Sequence, residues 1–307
     1  MKMAATLFKQ TANSSPVLTR RFCENVARRL EIGNFNKIIR FGRPRLAYNI
    51  LPAKETFSKS QPVVILHGMF GSKRNWNSLA RVLNQRTGRS VITFDARNHG
   101  DSEHHISMSY EAMAHDTLGL LEKLDLKQCV LIGHSMGGKT VMSIALQNPQ
   151  IVDKLIVVDS APRTSIAATS AVSCLKAMMK LDLNLIHSRA DADQALKPEI
   201  KDDEVRRFIL TNLEDSSYGM KWIINLQFFH KNIKDLLEFP AFGEQQYLGQ
   251  TLFLAGQKSD YITDAEIPDI HRLFPTAEIE YINDAGHWVH SDQPKIFLDS
   301  VVKFLGT

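Results

Sequence analysis

The sequence predicts an α/β fold: a mostly parallel sheet with helices on both faces and a helical insertion. Three observations carry this. Short, largely apolar runs alternate with segments of helical periodicity from about residue 44 to 158. The runs lack the apolar–polar alternation of a strand with one wet face, so they read as strands buried on both sides. Finally, Gly133-x-Ser135-x-Gly137 stands directly between one such run and one helical segment.

The elements follow in order. Val63–Leu66 reads as a strand, and Trp76, Leu79, Ala80 and Leu83 as the buried stripe of a helix. Val91–Phe94 is the next strand, followed by a helix carrying Met113, Thr117, Leu120, Leu121 and Leu124. Residues 130–132 form a strand, 138–146 a helix and 155–158 a strand. The alternation then breaks. Residues 163–240 contain no clear strand and read as helices over 168–181 and 203–213, with a third carrying Trp222, Ile223, Leu226 and Phe229. Strands resume at 251–255 and 278–282, and a closing helix shows Phe297, Val301, Phe304 and Leu305 at i, i+4, i+7 and i+8. The insertion is therefore expected as an all-helical cap over the carboxyl edge of the sheet, where such sheets bind ligands.

Length and charge narrow the classes. A chain of 307 residues holds one large α/β domain or two small ones. The net charge of +4 comes from the first thirty residues, where Lys2, Lys9, Arg20, Arg21, Arg28 and Arg29 face a single acid, Glu24. Without them the chain stands at about −1, which gives a nucleic-acid partner no support. The basic, acid-poor start contains Thr11, Ser14, Ser15 and Thr19 but no continuous apolar core. Residues 1–34 are therefore expected to be a mitochondrial transit peptide, with the folded domain over 35–307 and a matrix location. No apolar window is long enough to span a membrane. Cys23, Cys129 and Cys174 have neither disulfide nor zinc spacing, and no metal or cofactor is expected.

The chemistry centres on Ser135. A strand-to-helix turn with glycines two positions either side exposes its hydroxyl at the tip. A serine is a poor nucleophile unless a base takes its proton and an acid orients that base. His287 follows the last strand and is the predicted base; His290 is its nearest competitor. Two acids fit: Asp260, just past the strand at 251–255, and Asp159, at the end of the strand at 155–158. The N–H of Met136 and the N–H of Met69, in the turn His67–Ser72, are the predicted oxyanion donors. Asp95 and Arg97 are read as bracing the loops around the site, and Asp191 and Asp193 as solvated cap residues. Met178, Met179, Trp222, Phe228 and Phe229 read as cap core; where they line the site they favour an apolar acyl chain.

Together these residues resemble the α/β-hydrolase superfamily from about Phe41 to Leu305. The finer pattern is similar to the α/β-hydrolase domain-containing protein 11 family and its bacterial esterase relatives. It is carried by His67-Gly-Met-Phe-Gly-Ser72, Asp95-Ala-Arg-Asn-His-Gly-Asp-Ser102, Gly133-His-Ser-Met-Gly-Gly138, Asp159-Ser-Ala-Pro162, Ser259-Asp-Tyr261 and Ala285-Gly-His-Trp-Val-His290. Ser160 departs from the isoleucine usual there. The resemblance implies a mitochondrial serine hydrolase acting on esters, with diacylglycerol lipase activity and a link to lipoylated 2-oxoacid dehydrogenase complexes. It also favours Asp159 over Asp260 as the acid. The expected function is ester hydrolysis, with acylglycerols as substrates and an acyl-enzyme on Ser135. Thioester cleavage, acyl transfer and carbon–carbon hydrolysis are alternatives on the same fold, as is a non-catalytic partner of a dehydrogenase complex. A serine at the elbow excludes the epoxide-hydrolase and dehalogenase chemistries, which need an aspartate there.

Overall fold

Seven strands form the main sheet of the computed structural model, which describes residues 42–57, 60–164 and 169–306. The expected transit peptide, 1–34, lies outside the described residues. In chain order the strands are β1 (Tyr48–Leu51), β2 (Val63–Leu66), β3 (Val91–Phe94), β4 (Cys129–His134), β5 (Val152–Val158), β8 (Gln250–Gly256) and β9 (Ala277–Ile282). Across the sheet they run β1-β3-β2-β4-β5-β8-β9. All pairs are parallel except β1 with β3. The sequence reading omitted β1. It is a four-residue edge strand whose two central residues, Asn49 and Ile50, are exposed, so it carries no continuous apolar run.

The buried strands explain the continuous apolar runs. Side chains alternate between faces along a strand, and both faces here are covered. Val64 and Leu66 join Leu131, Leu155, Val157 and Phe253 in one core, beneath α2 (Tyr110–Lys123) and α3 (Met136–Gln147). Val63 and Ile65 join Val130, Ile132, Ile156 and Leu254 in the other, with α1 (Asn77–Thr87) and the closing helix Pro294–Leu305. β4 lies centrally, so the residue leaving its carboxyl end is surrounded by the ends of β2 and β5.

The insertion is not all-helical. It contains α4 (Thr169–Lys180), α5 (Arg189–Leu196), α6 (Asp203–Leu210) and α7 (Leu226–Leu237), but a hairpin of β6 (Leu213–Ser216) and β7 (Gly219–Trp222) interrupts them. The hairpin turns at Gly219, whose φ of 98° suits glycine, and the Ser216 hydroxyl donates to the Gly219 carbonyl at 2.6 Å. Two four-residue strands are too short to show a period. Trp222 therefore joined the apolar stripe of the following helix by spacing alone, and 203–213 looked continuous although α6 stops at Leu210. Asp193, read as solvated, pairs with the buried Arg206 (Nε to Oδ1, 2.8 Å). Asp191 is exposed, as expected.

The loop after β3 is braced as its residues suggest. Arg97 is fully buried and meets Asp116 on α2 in a bidentate pair, Nε to Oδ2 at 2.6 Å and Nη2 to Oδ1 at 2.7 Å. Its other amine donates to the Ser107 carbonyl and hydroxyl. Asp95, also fully buried, accepts from the backbone N–H and the ammonium of Lys73, tying this loop to the one after β2. Removing one partner of such a pair leaves an uncompensated buried charge. Arg97→Met is therefore expected to cost about 3–5 kcal/mol of unfolding free energy by urea titration. A loss within about 0.5 kcal/mol, the range of an ordinary surface change, would contradict the bracing role.

Candidate active site

Ser135 caps α3 at the end of β4, with φ 53° and ψ −115°. Such a conformation costs a non-glycine residue about 1–3 kcal/mol and persists only where the surroundings enforce it. Here its N–H donates to the Val158 carbonyl (3.0 Å), and its carbonyl accepts from the Lys139 N–H (3.0 Å). The flanking glycines make the turn possible. A methyl at Gly133 would collide with the Gly137 carbonyl, and one at Gly137 would sit 2.5 Å from the Leu66 carbonyl oxygen.

The hydroxyl points at a histidine. His287 Nε2 is 3.0 Å from Ser135 Oγ, and His287 Nδ1 is 2.7 Å from Asp159 Oδ2. Asp159 directly follows β5, is fully buried and has a positive φ of 47°. Its carboxylate also accepts from the Gly256 N–H (3.0 Å) and the Ser259 hydroxyl (2.5 Å). A carboxylate only accepts, so Nδ1 carries a proton and Nε2 is left free to take the serine's. Asp260 is exposed on the neighbouring loop, and it is Asp159 that holds Nδ1. The structure thus brings together Ser135, His287 and Asp159, and leaves Asp260 aside. His290, the competing histidine, is buried against Trp76 with stacked rings 4.2 Å apart, and burial pushes its pKa down to about 3.

Met69 and Met136 both line a cavity of about 270 Å³ that opens onto Ser135 and His287. Met136 begins α3, so its N–H has no partner within the helix. The Met69 turn is held from the cap: Asn212 Nδ2 donates to the Phe70 carbonyl at 2.8 Å. The cavity walls are mainly apolar, with Ala171, Val205, Phe208 and Leu236 contributed by the cap. Of the cap residues considered in the sequence, Met178 and Phe229 are core, as expected, and neither lines the cavity.

Several contributors were not singled out from the sequence. Tyr261 stacks on the His287 ring at 3.8 Å and 15°. His134 Nε2–H donates to the His287 carbonyl at 2.9 Å, and burial holds this imidazole well below its ordinary pKa and therefore neutral. Ser259 and Tyr261 flank the exposed Asp260, and nothing local in the sequence marks these neighbours as the ones facing inward. Asn212 and Lys139 are visible only once the cap is folded over the sheet.

The chain is similar to known proteins over nearly all of this architecture. A family model described as alpha/beta hydrolase fold matches residues 61–294. The sn-1-specific diacylglycerol lipase ABHD11 of Danio rerio is 42% identical over 297 residues, covering 95% of this chain and 92% of the relative. The sn-1-specific diacylglycerol lipase ABHD11 of Mus musculus is 45% identical over 264 residues, with 85% of each chain covered. Among solved structures, a marine microorganism esterase superposes with a TM-score of 0.80 at 36% identity, covering 85% of this chain and 99% of that one.

Proposed function

This chain belongs to the α/β-hydrolase family and is an ester hydrolase within it, and from that premise we propose that it cleaves acylglycerol esters through an acyl-enzyme on Ser135. The supporting observation is the unbroken hydrogen-bond series Ser135–His287–Asp159 at the mouth of an apolar cavity. In this reading Ser135 Oγ attacks the ester carbonyl as its proton passes to His287 Nε2. The developing oxyanion receives the N–H groups of Met69 and Met136. His287 returns the proton to the departing alcohol oxygen, leaving the acyl group on Ser135. Water, deprotonated by the same histidine, then releases the carboxylic acid and restores the serine. Asp159 stabilises the imidazolium in both halves and stays ionised.

The apolar walls support a fatty acyl group, and the names of the two ABHD11 relatives support a diacylglycerol as its carrier. A panel of diacylglycerols, monoacylglycerols, acyl thioesters and short aryl esters tests this. Diacylglycerols are expected to give the highest kcat/KM. A thioester preferred by about tenfold or more, equivalent to about 1.4 kcal/mol in transition-state binding, would replace the acylglycerol assignment with a thioesterase.

A further inference from the structure

We propose that Lys139 is a specificity-determining residue that selects acyl groups bearing a second, ionised carboxylate. The proposal rests on the ester-hydrolase reading and extends it beyond neutral acylglycerols. Lys139 lies one helical turn after Ser135 on α3, is only 4% exposed, and lines the same cavity as Ser135 and His287. An ammonium has three donors. One goes to the Leu237 carbonyl at 2.8 Å, at the end of cap helix α7, and the charge also lies 5.6 Å from the Tyr110 ring centre. No carboxylate lies within ion-pairing distance of it among the described residues, and none lines the cavity.

Helix stability does not account for this cation. It sits near the amino end of α3, where the helix dipole opposes positive charge. Its bond to the carboxyl end of α7 is favourable, yet needs only one donor, and the neighbouring Tyr110 hydroxyl already donates to Leu236 in the same turn (2.6 Å). A buried charge without a counter-ion is costly, and an incoming carboxylate supplies the missing partner in a desolvated site.

The surrounding titratable groups leave the role to Lys139. The Tyr110 hydroxyl is pushed up by burial, Tyr261 to about 12 and the Cys174 thiol to about 11, so all three stay neutral. His134 is neutral, and Glu238, beyond the end of α7, is exposed and only partly offsets the burial. Burial lowers the Lys139 pKa to about 7. The ammonium is therefore present below that pH and lost above it, and preference for an anionic acyl group should follow.

The test compares monomethyl adipate with methyl hexanoate, which share a chain length and differ in the terminal carboxylate. That carboxylate is ionised throughout the range of about pH 6 to 9, so the ratio of the two kcat/KM values cancels the pH dependence the two esters share and isolates the enzyme's cation. In the wild type the ratio should exceed one at about pH 6 and fall about tenfold per unit above about pH 7. In Lys139→Met it should drop at least about tenfold at low pH, the loss of one charge-assisted contact, and become flat. Labelling of Ser135 by a fluorophosphonate checks that the variant is folded; should it not fold, the wild-type profile decides alone. A wild-type ratio below one throughout, or one independent of pH, overturns the proposal, as does an unchanged ratio in a folded Lys139→Met. Hydrolysis of the hexanoate without preference for the adipate defeats only this inference. Failure to hydrolyse either ester overturns this inference, and the acylglycerol reading falls with it only where diacylglycerols are not hydrolysed either.

Discussion

Ser135→Ala is expected to lose ester hydrolysis by about 10⁴–10⁶-fold in kcat and to lose all labelling by a fluorophosphonate, while the fold persists. The physical reason is narrow. Alanine keeps the β-carbon and hence the backbone geometry at φ 53°, and removes only the oxygen that faces His287 Nε2 at 3.0 Å. The residual rate reflects binding and the oxyanion donors acting on a water molecule. Ser135→Gly separates mechanism from stability. It removes the same oxygen but also relieves the positive-φ strain, so it should raise the melting temperature relative to Ser135→Ala while staying inactive. Robust labelling of either variant would take Ser135 out of its role.

The second large effect distinguishes two aspartates of the same chemistry. Asp159→Asn should cost about 10⁴-fold in kcat, because an amide at Oδ2 either donates toward Nδ1 or fails to hold the imidazole in the tautomer that accepts the serine proton. The same change takes away the acceptor of the Ser259 hydroxyl, which now donates to Oδ2, while Oδ1 still accepts from the Gly256 N–H, so a fall in stability should accompany it. Asp260→Asn, on an exposed site, should leave kcat close to wild type. Equal kcat values for wild type and Asp159→Asn would return the acid role to the neighbouring loop.

The reading of the acid shows where sequence reasoning stops. Asp159 and Asp260 both follow apolar strands, and both β5 and β8 end at the same edge of the sheet. From the residues alone they were equivalent; resemblance to a known family tipped the balance to Asp159. The backbone separates them. The positive φ at Asp159 turns its carboxylate inward, where Gly256 N–H and the Ser259 hydroxyl receive it, whereas Asp260 faces water one residue beyond Ser259. The hairpin within the cap was hidden for a different reason. Leu213, Met220 and Trp222 are cap-core residues on strands of four, too short to distinguish a period of two from a helical stripe.

What the chain determined by itself is whatever depends on neighbours in sequence. Strands buried on both faces must be continuously apolar, and a turn as tight as that at Ser135 needs small residues at 133 and 137. Those requirements are local, so the alternating architecture, the exposed serine and the histidine after the last strand were legible. Only the folded molecule decided which carboxylate reaches a histidine 128 positions away, and that Lys139 loses its water beneath the cap. Electrostatics and desolvation depend on distances and burial, and those are set by strand order and by the packing of the cap over the sheet edge, neither of which any short stretch of residues encodes.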